Sequence, residues 1–278
     1  MRWKAIVRSS QGISHQRSSL PCQDYGDYCC LDTVNKPLII GAVSDGAGSA
    51  RFSEIGSKLT VETALAELKG FPQFQADWET QKQQNFTDLT HDKIHQELFR
   101  GLQEAIVLNL TQKAKELGCN LQDLACTLIT FIATPDWVLA AQIGDGFIVV
   151  RSQEGDYQLL SQPQKGEYWN ETTFVTSATA QDDLQIDWFN KAPQFIAVAT
   201  DGLEEVALNL GNWTAHSPFF QPFEEFMKTT ENPEDHGTDL EDFLNSDRLN
   251  DRTDDDKTLL LCYLDQEETK LCHERLGS

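Results

Sequence analysis

No apolar run in the 278-residue chain approaches the ~20 residues that span a bilayer, and the opening Met1-Arg-Trp-Lys-Ala has no secretory h-region. The expectation is a soluble, cytoplasmic protein with no membrane partner. Basic residues are scarce. Against 44 Asp and Glu there are 22 Lys and Arg, a net charge of −22 that repels nucleic-acid phosphate and anionic lipid and argues against nucleic acid as a partner. The seven cysteines are odd in number and show no Cys-x-x-Cys spacing, so they read as reduced thiols, several of them buried as small hydrophobes. There is no Gly-x-Ser-x-Gly elbow, which argues against a serine hydrolase, and no internal repeat. The length suits one large domain over residues 1–278, with a variable acidic segment at about 210–250, in which Glu224, Glu225 and the acids from Glu231 to Asp242 read as a solvated face or mobile insertion, and a polar tail at about 265–278.

What the chain does contain is a set of aspartates at the ends of apolar runs. Asp45 closes Leu38-Ile-Ile-Gly-Ala-Val-Ser-Asp-Gly, Asp145 closes Val138-Leu-Ala-Ala-Gln-Ile-Gly-Asp-Gly, Asp201 closes Phe195-Ile-Ala-Val-Ala-Thr-Asp-Gly, and Asp255 with Asp256 leads into Lys257-Thr-Leu-Leu-Leu. A β-rich apolar run reads as a buried strand, and a carboxylate at its end sits where backbone leaves the core. Glycine directly after Asp lets the chain turn sharply and approach a ligand closely. Any one Asp-Gly is most simply a hairpin turn, but four strand-terminal cases favour an oxygen-only cluster suited to Mg²⁺ or Mn²⁺.

Pattern places strands at 2–8, 27–33, 37–44, 124–133, 137–150, 157–160, 194–200 and 258–264, with Gln11-Gly and Ser18-Ser-Leu-Pro marking irregular turns between the first two and those from 124 to 160 forming an antiparallel meander. Helices are expected over 53–70, with Ser53 as N-cap and Gly70 as stop, and over 90–117, closed by Gly118. Residues 71–89 read as a loop or short irregular helix, and weak helical patterns surround Phe219–Met227 and Leu240–Leu244. His91 and His95, at i and i+4, lack a third ligand and read as helix surface.

Taken together, Gln23-Asp24, Asp45-Gly-Ala-Gly-Ser with Ser53-Glu-Ile-Gly-Ser, Gly144-Asp145-Gly146, Asp201-Gly-Leu and Asp255-Asp-Lys-Thr resemble, in order and spacing, the metal-dependent serine/threonine phosphatases of type 2C. Pro21-Cys-Gln-Asp and Gly166-Glu-Tyr-Trp-Asn-Glu-Thr-Thr-Phe are similar to a divergent bacterial branch. The resemblance implies an α+β fold, a four-layer α-β-β-α sandwich of two antiparallel sheets flanked by helices. It implies hydrolysis of phosphoserine and phosphothreonine on proteins, with a cognate kinase supplying the substrate to a monomeric enzyme. By the same resemblance Asp45 bridges two Mn²⁺ or Mg²⁺ ions and Gly46 lends its carbonyl. Asp201 and Asp255 complete one ion, Asp24 holds a metal water, and Asp145 serves a third, weaker ion. Two hard cations lower the pKa of a water between them and orient it on phosphorus, so no protein nucleophile is required.

The chain also departs from the pattern. The family's phosphate-clamping arginine is replaced by His15, with Arg17 two residues on, and the catalytic set is therefore Asp45, Asp201 and His15. The family's Asp-Asn pair has become Asp255-Asp256, leaving two candidate ligands, of which alignment favours Asp255. Ala47 follows Asp45-Gly46 without consequence for the ligands, and Gly166–Ser177 replaces the ordinary flap-side sequence. Two further readings stay open on the same fold, a phosphohydrolase of small esters and a non-catalytic phosphoprotein-binding module.

Overall fold

The computed structural model describes residues 1–32, 36–72, 91–163 and 172–266. The expected loop at 71–89 falls almost wholly outside these residues, as do most of the polar tail and residues 166–171 of the flap-side segment.

Two five-stranded antiparallel sheets form the centre. One has the order β1(Arg2–Ser10), β12(Lys257–Asp265), β9(Pro193–Ala199), β6(Phe147–Ser152), β7(Gln158–Ser161). The other runs β2(Tyr25–Asp32), β3(Pro37–Ser44), β4(Leu128–Ala133), β5(Val138–Ile143), β8(Gln185–Phe189). Helices α2(Ser53–Leu68) and α3(His91–Leu117) cover the second sheet. Outside the first sheet lie α4(Glu204–Ala207), the short antiparallel pair β10(Leu208–Asn209) and β11(Thr214–Ala215), α5(Ser217–Thr229), α6(Gly237–Leu244) and α7(Asp247–Asn250). The result is the four-layer sandwich the resemblance implies.

The apolar runs look continuous because both faces of each inner strand are buried, and period-two alternation deals them between two cores. In β12, Leu259 and Leu261 face the outer helices, while Leu260, Cys262 and Leu264 face the other sheet. In β3, Leu38, Ile40 and Ala42 pack on α2 and α3, while Ile39 and Val43 fill the space between sheets. A one-residue slip in either strand would exchange the two sets.

Four expectations need correction. The run 137–150 is not part of a meander: β5 belongs to one sheet and β6 to the other, and Gly144-Asp145-Gly146 carries the chain across. Gly144 makes the crossing with φ +118, and a Cβ there would lie 2.6 Å from the Thr127 side chain. Ser53 is the first residue of α2 rather than its cap, which is Phe52. The acids at 224–242 sit on a packed fourth layer rather than a mobile insertion, since Phe220, Met227, Leu240, Leu244 and Leu249 are buried against the first sheet, while Glu225, Glu231, Asp235, Asp239, Glu241 and Asp242 are exposed as the solvated-face reading has them. Lastly, the region after Gln11, read as irregular turns, contains a short helix α1(Ile13–Ser18).

Candidate metal centre

The strand ends deliver the aspartates to one edge of the sandwich. Asp45 follows β3, Asp201 follows β9 and opens a 3-10 turn, Asp24 precedes β2, and Asp255-Asp256 precede β12. The crossing between sheets supplies Asp145. One carboxylate oxygen each from Asp45, Asp145 and Asp201 lie within 4.8 Å of one another, an opening of the size a single cation fills.

Backbone and hydroxyl bonds set each position. The Asp45 N–H donates to Thr127 Oγ1 (3.0 Å), and the Thr127 N–H returns to the Asp45 carbonyl (2.8 Å). Gly46 bridges to Cys126. Asp24 is buried, and its Oδ2 accepts the hydroxyls of Thr200 (2.7 Å) and Thr258 (3.0 Å). Thr172 donates to Asp145 Oδ2 at 2.6 Å. Two oxygens are left over: Asp24 Oδ1 and Asp145 Oδ1 are buried and have no hydrogen-bond partner.

The electrostatics follow from this crowding. Desolvation is the main cause that pushes the Asp24 carboxyl up to about 7. It also drives Asp45 well above the carboxylate range, helped by repulsion from Asp24 and Asp201. Asp201 is raised in the same way, with Asp145, Asp255, Asp24 and the buried Glu204 repelling it. Ionised carboxylates are acceptors only, so Asp24 against Asp45 needs a proton or a cation between them. An all-oxygen donor set with orphaned buried oxygens fits a hard divalent cation.

Asp255 and Asp256 have separate fates. The Asp256 carboxylate is 1% exposed; Oδ1 accepts the Gly12 N–H (2.6 Å) and Oδ2 the Gln23 N–H (2.5 Å). His15 Nδ1 lies 2.9 Å from Asp256 Oδ2, at ion-pair distance but without hydrogen-bond alignment. Asp256 thus has its oxygens filled by protein. Asp255 is exposed over part of its surface, yet its carboxyl is pushed up, first by desolvation of the part turned inward, and it repels Asp45 and Asp201. The Asp201-Gly202 turn presses on the same loop: a Cβ at Gly202 would lie 1.9 Å from the Asp256 carbonyl.

Of the residues expected for phosphate, His15 is largely buried beside Asp256, whereas Arg17 is exposed in the last turn of α1. Helix α1 is tied to the acidic loop, since Ser14 N–H and Oγ both donate to the Asp254 carbonyl (3.0 and 2.7 Å). The sequence reading missed the supporting hydroxyls of Thr127, Thr172, Thr200 and Thr258. Two of them carried a signal, Thr200 directly before Asp201 and Thr258 two places after Asp256. His95 stacks on Trp188 with ring centroids 4.7 Å apart.

The protein phosphatase 2C family model matches residues 11–245. Serine/threonine-protein phosphatase 3 of Escherichia coli (strain K12) is 34% identical over 267 residues, covering 94% of this chain and 98% of that protein. Among solved structures, serine-threonine phosphatase 2C from Toxoplasma gondii superposes with a TM-score of 0.63 at 12% identity, over 95% of each chain. Serine/threonine phosphatase Stp1 from Staphylococcus aureus gives 0.57 at 15% identity, over 94% of each. At such identities the structures speak for the fold alone, and the sequence matches decide the family. On the extent of the family match and of the Escherichia coli relative, the chain belongs to the protein phosphatase 2C family.

Proposed function

We propose that this chain hydrolyses phosphoserine and phosphothreonine monoesters on proteins with the help of divalent ions, Mn²⁺ or Mg²⁺. The observation that carries the reading is the convergence of Asp45, Asp145 and Asp201 beside Asp24, with Asp24 Oδ1 and Asp145 Oδ1 buried and without a donor, set in a chain of this family. Asp45 and Asp201 would hold the principal ions with the Gly46 carbonyl and Asp255, Asp24 would hold an ion's water, and Asp145 would hold a third ion. When bound, such ions supply a water of lowered pKa and neutralise phosphoryl oxygens.

The chain's own residues do the rest. Thr200 and Thr258 lock Asp24 in one orientation, so that its second oxygen remains for the ion side. Asp256 ties α1 and the Gln23-Asp24 segment to the β12 loop and faces His15 Nδ1 at ion-pair distance, leaving Nε2 to meet the substrate phosphate. Arg17, on the exposed face of the same helix, adds positive charge to the approach. In the net reaction a water oxygen would bond to phosphorus as the phosphorus–oxygen bond to the serine or threonine side chain breaks, and a proton of that water would pass to the leaving oxygen. Cys22 is the thiol beside the site. Burial first, then Asp24 and Asp256, push its pKa up, so it stays protonated and offers no thiolate nucleophile.

All the acidic positions carried over from the family remain acidic here, which favours catalysis over a phosphoprotein-binding role. We place the enzyme in the cytoplasm as a monomer acting on the products of a protein kinase; no helix among the described residues is long and apolar enough to cross a membrane. The test is phosphate release from phosphoserine and phosphothreonine peptides beside small phosphate esters, with Mn²⁺, with Mg²⁺ and with chelator. Release from small esters alone would reject the protein substrate, and full activity in chelator would reject the ions.

A further inference from the structure

We infer that Gln142 is a positioning residue for Asp145, fixing the turn that brings this carboxylate to Asp45 and Asp201 and so setting the affinity for the weakest ion. The inference rests on the metal-site reading above.

Gln142 is fully buried in β5, three residues before Asp145. Its Nε2 donates twice, to the Gly144 carbonyl at 2.9 Å and to the Gly146 carbonyl at 2.7 Å. The two accepting carbonyls flank Asp145, so one amide group clamps both sides of the residue. A buried amide in a strand that is otherwise apolar is costly unless it is used, and both protons of this one are used on the turn.

The clamp holds the turn between the two other ligands. On one side Gly144 rests on Thr127, where a Cβ would fall 2.6 Å from the Thr127 side chain, and Thr127 exchanges two hydrogen bonds with Asp45. On the other side Gly146 abuts the Ala199 carbonyl, where a Cβ would fall 2.7 Å away, two residues before Asp201. Gln142 therefore fixes Asp145 relative to both Asp45 and Asp201. Thr172 holds Asp145 Oδ2, which leaves the buried Oδ1 as the oxygen free for an ion. A carboxylate that offers one oxygen, its turn clamped by a side chain that itself touches no ion, suits an ion bound more weakly than those of the main pair.

Gln142→Met keeps the length and removes both donated bonds. Counting bound Mn²⁺ by calorimetric titration, we expect the weakest ion to bind about tenfold or more weakly while the tighter ions are unchanged, as happens when groups that orient ligands are removed. The Mn²⁺ concentration that half-activates phosphate release should rise by the same factor, and turnover should recover at high Mn²⁺. Gln185→Met is the control, since Gln185 lies opposite Gln142 in β8 with an equally unpartnered Oε1 but gives the turn no bond. It should leave the titration unchanged. A Gln142→Met titration that superimposes on that of the native chain overturns the inference, as does an equal shift in Gln185→Met. If Gln142→Met does not fold, Gln142→Asn, one methylene too short to reach both carbonyls, takes its place. Failure of both to fold would make the residue structural and overturn the proposal. A native chain that binds its ions but releases no phosphate would reject the phosphatase reading, while the ion count would still decide Gln142.

Discussion

Two acidic regions meet at this edge of the sandwich, and their surroundings are opposite. Around Asp256, two backbone N–H groups and a histidine nitrogen converge on one carboxylate. Around Asp24, Asp45, Asp145 and Asp201, carboxylates face carboxylates, and two buried oxygens, Asp24 Oδ1 and Asp145 Oδ1, have no donor. Both regions are buried acid at strand ends, and both are built from the same motifs. What separates them is whether the protein supplies the compensating hydrogen bonds. Where it does, removal of the carboxylate should cost stability; where it does not, the charge is what the proposed cation would neutralise.

The largest expected effect lies in the cluster. Asp45→Asn or Asp201→Asn should lower kcat by at least ~10²-fold with the fold intact, because each removes a charge that in the proposed site would hold an ion and its water. Steady-state kinetics at saturating Mn²⁺ would show it, and near-native turnover would remove the residue from the site. The same substitutions should raise the melting temperature of the metal-free protein by relieving repulsion. Asp256→Asn should do the reverse and cost about 1–3 kcal/mol, since an amide cannot accept from every donor that now converges there. Chemical denaturation in chelator compares the three variants directly.

A smaller effect separates the regions by pH. Asp24 titrates at about 7 in the folded, metal-free chain, and Asp45 and Asp201 are raised as well, against about 3.9 for an unfolded aspartate. The folded state therefore holds protons that the unfolded state has released. Stability from these groups is fully present below the unfolded pKa and falls as pH rises through about 7. Melting curves in chelator from pH 5 to 8 should move to lower temperature, and Mn²⁺ should reverse the loss at the upper end. A metal-free melting temperature that climbs over this range would contradict the account. The smallest effect is expected of Arg17→Ala, whose side chain is exposed: a few-fold rise in KM for phosphopeptide with kcat unchanged.

Much of this was legible in the chain, for identifiable reasons. Apolar runs ending in Asp-Gly marked β3, β5 and β9 and the residues after them, because both the run and the glycine are local signals. Gly118, with φ +66, ended α3 as a left-handed glycine should. The crossing at Asp145 was not legible, since a three-residue turn between strands reads the same whether the strands pair or part. The layer of α5 to α7 was obscured by Pro218 and Pro222 and by the acidic residues on its solvent face. The division of labour between Asp255 and Asp256 lies in tertiary contacts from Gly12 and Gln23, more than 200 residues away in the chain, which no local pattern encodes.

The most direct test of the contrast is a calorimetric Mn²⁺ titration of the native chain, Asp201→Asn and Asp256→Asn under identical conditions. Binding to the native chain, its loss or severe weakening in Asp201→Asn, and its retention in folded Asp256→Asn are the predicted results. Loss of binding in folded Asp256→Asn with binding intact in Asp201→Asn would mean that the two regions have been assigned the wrong way round.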